Sequence, residues 1–221
     1  MGWSVRLKAG RGTPTRFRTV KRHYNFGMSE TEISATDEFS LSGQLLIAMP
    51  NMLDPRFAGS VVYLCEHSCK GAMGLVINRP TDLGIESLLE KINVDIEGPL
   101  PSHFPVMMGG PVASERGFVL HTEPLDWNSS LKVNPQISLT TSRDILEAVA
   151  RGDAPSKWLI TLGYAGWGEG QLEEELAQNA WLTAPANDVI LFDTPLEERF
   201  ASAFAMLGID PALMSGAAGH A

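Results

Sequence analysis

Cysteine is scarce in this chain, since its 221 residues include only Cys65 and Cys69. A small secreted domain built on disulfides needs several cysteine pairs, so that class is excluded. Long apolar runs are also missing, because no stretch reaches the ~20 residues that a membrane-spanning helix requires. We therefore expect a cytoplasmic protein without a membrane partner. Its length suits a single domain with its own hydrophobic core.

Basic residues are rare after residue 28. The first 28 residues contain seven Lys or Arg and no acid, whereas the remainder contains ten against all 26 Asp and Glu, a net charge of −16. So acidic a body repels the phosphate backbone of a nucleic acid. The composition therefore predicts no direct nucleic-acid partner.

Residues 1–27 lack apolar periodicity and the apolar core of a secretory signal. Three interpretations remain open for them: a basic disordered arm, an arginine-rich targeting peptide, or upstream sequence wrongly included before a start at Met28. The change in charge balance at Met28 favours the third. We predict a disordered extension over 1–37, one domain over 38–214 and a tail over 215–221.

The rest of the chain mixes strand and helix patterns. Apolar spacing predicts helices over 85–92, 143–150 (capped by Ser142) and 196–207, with a further helix running from the glycine-rich loop 163–171 to about 179. Short apolar runs predict strands over 45–48, 61–64, 73–77, 117–121, 158–162, 181–182 and 189–192, and 123–135 reads as a long surface connection. Irregular interleaving of strands and helices predicts an α+β fold with a mixed, largely antiparallel sheet.

The chemistry-bearing residues concentrate in the predicted hairpin over 61–80. Cys65 and His67 follow its first strand, and Asn78 and Arg79 end its second. Cys65, His67 and Cys69 alternate along an extended chain and would share a face. A structural zinc site needs four ligands, however, and no second Cys or His pair exists. We predict neither a metal nor a cofactor.

Cys65 has two competing interpretations. His67 on the same face, with Lys70 and Arg79 nearby, would lower its pKa and make it a reactive thiolate. A lone cysteine at a strand end is more often a small buried apolar residue. No orienting third group or oxyanion site is identifiable, so a protease-type nucleophile is not assigned.

Glycine-rich turns supply the other candidate binding residues. The 163–171 loop lacks the spacing of a dinucleotide-binding or P-loop motif, and its acidic surroundings would repel an anion. Packing of glycines around Trp167 is therefore favoured, with an apolar pocket between tryptophans as the functional alternative. The candidate binding residues are Asn78, Arg79, Gly109, Gly110, Gly163, Gly166, Trp167 and Gln171.

Several separated motifs resemble those of the YqgE/AlgH family. They are Cys-Glu-His at 65–67, Gly-Ala-Met-Gly-Leu-Val-Ile-Asn-Arg-Pro at 71–80, Gly-Gly-Pro-Val at 109–112, Gly-Phe-Val-Leu-His at 117–121, and Gly-Tyr-Ala-Gly-Trp at 163–167 with Gly-Gln-Leu-Glu at 170–173. The likeness spans about 39–208. It implies one bacterial, cytosolic α+β domain whose irregular sheet partly closes into a barrel, with flanking helices.

The same resemblance sets the functional expectation. Some family members carry the label of transcriptional regulator without a recognised DNA-binding motif, and the family pattern includes the cysteine at 65 but not the one at 69. We expect a regulatory or interaction domain that contacts an unknown protein or small-molecule partner and does not bind DNA directly. The alternative is a thiol-dependent enzyme or redox sensor that uses Cys65 with His67.

Overall fold

The computed structural model describes residues 2–5, 40–101, 104–122 and 127–209. The strands are β1 (Gln44–Ala48), β2 (Val61–Ser68), β3 (Gly71–Val76), β4 (Pro80–Gly84), β5 (Pro105–Met108), β6 (Val112–Thr122), β7 (Ser130–Lys132), β8 (Ile137–Thr140), β9 (Trp158–Trp167) and β10 (Trp181–Pro185). The helices are α1 (Ile85–Lys91), α2 (Asp144–Arg151), α3 (Gln171–Ala177), a π-helix (Val189–Asp193) and α4 (Arg199–Ala205).

All ten strands join one curled sheet that forms a half-barrel. Its main path runs β10-β1-β2-β3-β9-β6-β8-β7, and β5 attaches β4 to β9. The β5–β9 pairing is parallel, and the other pairings between the described strands are antiparallel. The predicted α+β class and largely antiparallel sheet are therefore confirmed.

Hydrophobic side chains cover both faces of the sheet because neighbouring residues of a strand point in opposite directions. In β2, Val61 and Tyr63 belong to a first core cluster, which the π-helix and α4 cover. Val62 and Leu64 belong to a third cluster beneath α3. A second cluster lies between β5, β6, β9 and the helices α1 and α2. Because these strands are buried on both faces, their sequences are continuous apolar runs.

Four local predictions are wrong. The 189–192 segment is a π-helix rather than a strand, and β9 continues through the predicted loop as far as Trp167. The predicted connection over 123–135 contains β7. Ser142 does not cap α2, because its hydroxyl donates to the side chain of Asp144 instead of accepting a backbone N–H. Gly152 does end α2, with a left-handed φ of 87°.

The prediction of a disordered extension is wrong for residues 2–5. These residues pair with the sheet, and the side chains of Trp3 and Val5 are buried in the second cluster. Alternating buried and exposed residues over 2–5 form a strand pattern too short to stand out in the sequence. The remainder of 1–37 and the predicted 215–221 tail lie outside the described residues.

Candidate functional site

A β-bulge separates the two side chains that were predicted to work together. The pairing of β2 with β3 shifts by one residue between Leu64 and Glu66, which leaves Cys65 without a partner residue. Such an extra residue reverses the alternation of faces beyond it. Cys65 consequently packs in the first cluster, whereas His67 contacts Leu41 of the third. The predicted shared face of Cys65 and His67 is therefore wrong.

The thiol of Cys65 lies in an apolar environment. The residue is 3% exposed, and its Sγ atom is 3.7 Å from the carbonyl oxygen of Tyr63. Burial raises the pKa of this thiol well above its ordinary value, and the neighbouring Glu66 carboxylate raises it further. The local environment therefore favours the protonated thiol.

His67 holds two segments against β2. Its Nδ1 atom accepts the backbone N–H of Leu41 at 3.1 Å, so the proton of the neutral ring resides on Nε2. The Nε2–H group then donates to Oε1 of Glu173 in α3 at 2.8 Å. Both ring nitrogens are thus engaged by partners other than Cys65, which gives His67 a structural role here.

Asn78 and Arg79 hold the turn that precedes β2. Asn78 accepts the first backbone N–H of β2 at 2.9 Å and donates to the carbonyl of Gly59 at 2.9 Å. Arg79 donates to the carbonyls of Pro55 and Ala58 at 3.2 and 2.6 Å. These contacts use polar groups that were predicted to bind a partner, and that binding role stays a prediction.

The predicted glycines lie where two backbones approach closely. A Cβ atom at Gly110 would collide with the backbone of Tyr164, and one at Gly163 would collide with the carbonyl oxygen of Gly110. Gly109 also faces the carbonyl of Gly163. Glycine is needed here for chain packing, and the predicted role of these residues in binding stays a prediction.

Trp167 and Gln171 belong to a filled polar–aromatic cluster around Glu175. Both Trp167 and Trp181 donate their indole N–H to Oε2 of Glu175, at 2.9 and 2.8 Å, and Gln171 donates to Oε1 at 2.9 Å. The ring of Phe57 packs against both indoles, with centroids 6.4 and 5.6 Å away. The predicted pocket between tryptophans is therefore occupied by the chain itself.

Trp158 and Gly166 lie outside the cluster around Glu175. Trp158 lies apart from this cluster and packs on Phe104, with ring centroids 4.1 Å apart. A Cβ atom at Gly166 would lie 3.2 Å from the ring of Tyr164, so Gly166 makes room for that ring. Sequence reasoning did not assign Glu175 or Phe57. The four-residue spacing from Gln171 to Glu175 on a helix was the available signal.

A cleft of about 440 Å³ lies elsewhere, between the end of β6, the β7–β8 turn and the π-helix. We call it the amide cleft. Its lining residues are Thr122, Asn134, Gln136, Ile137, Ala186, Asn187, Asp188 and Leu191. Sequence reasoning missed it because it assigned two of its walls to a surface loop and a strand.

Part of the polar lining is fixed by internal hydrogen bonds. Asn134 accepts the backbone N–H groups of Gln136 and Ile137 at 2.9 and 2.8 Å, and it donates to the hydroxyl of Tyr63 at 3.2 Å. Asn187 accepts one backbone N–H at the start of the π-helix. Within the described residues the side-chain amide of Gln136 makes no such bond, and it is exposed. The cleft therefore combines rigid amides with an available one.

Asp188 is the ionisable residue of the lining. Its carboxylate contacts Nζ of Lys157 at 3.1 Å, and this hydrogen bond lowers the pKa of Asp188. Lys157 also contacts Asp193 at 2.6 Å. The lining holds no cysteine, histidine or lysine, so it offers no nucleophile–base pair. Among the described residues, no group of three or more His, Cys, Asp or Glu could hold a metal, and no helix is long and apolar enough to cross a membrane.

Comparison with known sequences gives a consistent family signal. A family model described as AlgH-like matches residues 45–212. The UPF0301 protein of Burkholderia vietnamiensis is 55% identical over 188 residues, covering 84% of this chain and 98% of its own length. A UPF0301 protein of Burkholderia mallei is 55% identical over 190 residues, with coverages of 85% and 98%.

Comparison with solved structures agrees. The solution structure of the AlgH protein from Pseudomonas aeruginosa is 48% identical, with a TM-score of 0.67 over 86% of this chain and 100% of its own. The crystal structure of a protein from Corynebacterium diphtheriae has a TM-score of 0.64 over 78% of this chain and 90% of its own. At 19% identity, this second likeness concerns the fold alone.

Proposed function

This chain belongs to the AlgH-like family, and we propose that it is a cytoplasmic regulatory domain that works by binding rather than by catalysis. The amide cleft is the binding site in this proposal. Its occupant is a neutral ligand rich in hydrogen-bonding groups, either a small molecule or a few residues of a peptide. DNA is not the partner.

The observation that carries the proposal is the chemistry of the cleft lining. The lining combines the carboxamides of three residues and one hydroxyl with three apolar side chains, and its one carboxylate is paired with Lys157. Ligand pockets commonly combine apolar walls with a few placed polar groups at volumes of roughly 300–1,000 Å³. The cleft fits that description and lacks the paired groups that acid–base or nucleophilic catalysis requires.

The test is a ligand screen by NMR on the isotope-labelled full chain, using capped dipeptides and neutral polar metabolites. The probe variant is Gln136→Leu, which removes the exposed cleft amide that makes no internal hydrogen bond among the described residues. The control is Gln178→Leu, an exposed amide at the end of α3. We expect a hit whose Kd rises by about two- to tenfold in the probe variant and stays unchanged in the control, because one lost hydrogen bond costs about 0.5–1.5 kcal/mol.

Two results would contradict the proposal. One is a screen whose hits bind the probe variant and the wild-type chain equally well. The other is conversion of a hit into product by the full chain, which would make the domain an enzyme.

The thiol-dependent alternative has no specific observation in its favour. Its two residues have separate environments, since Cys65 is buried in the first cluster and His67 binds Leu41 and Glu173. A reactive Cys65 stays a hypothesis that the alkylation rate of its thiol can test.

A further inference from the structure

Residues 2–5 form a short added strand on the curled sheet. Gly2 pairs with Ser142 and Ser4 pairs with Arg116, both antiparallel. Trp3 donates its backbone N–H to the carbonyl of Thr141 at 3.4 Å. Its own carbonyl accepts the N–H of Gly117 at 3.2 Å, and Val5 donates to the carbonyl of Glu115 at 2.6 Å. The added strand therefore joins the early part of β6 to the end of β8.

The sheet contains a gap that this strand fills. The β6–β8 ladder ends at the pair Val119–Thr140, after which the chain leaves the ladder and enters α2. Residues 115–117 of β6 are left without a β8 partner on that side. Unpaired backbone groups of this kind are a template for an incoming extended segment.

A side-chain pocket accompanies the gap. The ring of Trp3 lies directly over Gly117, where a Cβ atom would overlap the indole carbons. Trp3 is 5% exposed and Val5 2% exposed, and both pack in the second cluster against α2 and neighbouring elements. Gly2 and Ser4 face outward. The gap thus accepts a bulky aromatic residue followed, two residues later, by an aliphatic one.

Two features indicate that this occupant is exchangeable. The walls of the gap, β6, β8 and α2, lie within the family match at 45–212, whereas the segment that fills it lies outside that match. The indole Nε1 of Trp3 is also buried without a hydrogen-bond partner among the described residues, which weakens its hold.

We infer that the gap between β6 and β8 is a strand-acceptor groove for an extended aromatic-x-aliphatic segment of a partner protein, and that residues 2–5 occupy it in cis. The groove lies around Gly117, whereas the amide cleft begins at Thr122 of the same strand. The two sites are distinct, and this inference does not rest on the proposed function. A partner segment must displace Trp3 and Val5 before it binds.

The test uses a fluorescein-labelled peptide with the sequence of residues 1–8 and the full-length chain. The Trp3→Ser/Val5→Ser variant empties the groove of its own occupant, and the Gly2→Ser/Ser4→Ala variant, which changes only the outward positions, is the matched control. By fluorescence anisotropy we expect the emptied variant to bind the peptide at least tenfold more tightly than the wild-type chain and the control variant do.

A second peptide with serine in place of the tryptophan separates groove binding from charge attraction, because its net charge is the same. We expect it to bind the emptied variant at least tenfold more weakly. Absence of saturable binding to the emptied variant, or equal binding of the two peptides, would overturn the inference.

Hydrogen exchange on the unmodified full chain gives a measurement that needs no variant. The amides of Val5 and Gly117 are protected by the added strand alone. An exchangeable strand opens locally, so these two amides should exchange at least 100-fold faster than those of β9, at rates that low concentrations of urea do not change. Exchange together with β9 and with the same urea dependence would show an integral strand and refute the inference.

Discussion

At the scale of single residues, the chemical state of Cys65 decides between the two functions that the sequence suggested. Its side chain is buried beside Tyr63, and burial raises the pKa of the thiol. Because the thiolate is the species that reacts, both effects slow alkylation in the folded protein. The exposed Cys69 provides an internal comparison.

We therefore predict slow labelling of Cys65 in the full chain carrying Cys69→Ser. Iodoacetamide should react at least about 100-fold more slowly in buffer than in denaturant, and Cys69 in the Cys65→Ser chain should react rapidly in both. Mass spectrometry at a series of pH values measures these rates. Rapid labelling of folded Cys65 below the ordinary thiol pKa of about 8.5 would instead support a thiol-dependent function.

Asp144 at the start of α2 makes the stability of the fold dependent on pH. Burial opposes its ionisation, but the Ser142 hydroxyl and the N–H groups of Asn128 and Ile145 donate to its carboxylate and lower its pKa. A carboxylate with a lowered pKa stabilises the fold above its unfolded pKa, near 3.8, and this contribution is lost as the pH falls through the folded value.

Asp144→Asn should accordingly lower the free energy of unfolding by about 1–2 kcal/mol at pH 7, as expected for lost hydrogen bonds to a charged group at a half-exposed position. The difference in the free energy of unfolding between Asp144→Asn and the wild-type chain should become smaller below pH 3.8. Urea denaturation at pH 7 and pH 3 measures both values. Asp153→Asn, at an exposed position, is the control and should leave the free energy of unfolding unchanged. A loss of stability in Asp144→Asn that is equally large at both pH values would contradict this account.

At the scale of elements, β9 approaches the β5–β6 turn closely at Gly163, and Gly59 is a glycine of similar conformation without such a neighbour. Gly163 and Gly59 have nearly equal positive φ angles, 73° and 71°. A Cβ atom at Gly163 would collide with the carbonyl oxygen of Gly110, whereas one at Gly59 would have nothing within 4 Å. An alanine would therefore have the same backbone strain at both positions, but only Gly163 lacks room for its Cβ atom.

Gly59→Ala should therefore cost about 1–2 kcal/mol, the penalty of a left-handed conformation for an alanine. Gly163→Ala should cost at least about 2 kcal/mol more, because two packed backbones must move apart. Chemical denaturation of both variants gives the two values. An equal loss of unfolding free energy in the two variants would mean that the β9 backbone moves away from Gly110 at little cost, which would contradict the prediction.

Sequence patterns predicted most of these elements but not how they meet. The hairpin, α1 and α2 follow from apolar periodicity and from the glycine that ends α2. The bulge at Cys65 escaped prediction, since one extra residue leaves the apolar pattern of β2 unchanged while it moves His67 to the other face. The amide cleft escaped for a similar reason, because a five-residue π-helix has the same apolar content as a short strand.

At the scale of the whole molecule, the family likeness and the mixed element order predicted the fold class, and the curled sheet confirms it. The uneven charge distribution could also be seen in the sequence. The burial of Trp3 could not be predicted from the sequence. A four-residue strand contributes too little periodicity to be distinguished from its basic surroundings. The conformation of residues 2–5 is instead set by the gap in the sheet beside β6, which they fill.

The uneven charge distribution limits how the chain can contact nucleic acid. Residues after 28 carry a net charge of −16, while the first 28 carry seven cations and no acid. Any affinity of the full chain for duplex DNA should therefore arise from those seven residues. Their number limits the salt dependence, since log K falls with log salt at about −0.9 for each phosphate neutralised, or no steeper than about −6.

Replacing Arg6, Lys8, Arg11, Arg16, Arg18, Lys21 and Arg22 by glutamine should abolish duplex binding at 50 mM salt in a fluorescence anisotropy titration. The variant keeps Trp3 and Val5, so the added strand and its groove are unaltered. A double variant at acidic surface positions, Glu90→Gln with Glu147→Gln, is the control and should not weaken whatever affinity the wild-type chain has. Salt-dependent binding that survives the sevenfold substitution would have to come from the acidic body, against its electrostatic repulsion of phosphate, and would revive direct DNA binding as the function of the domain.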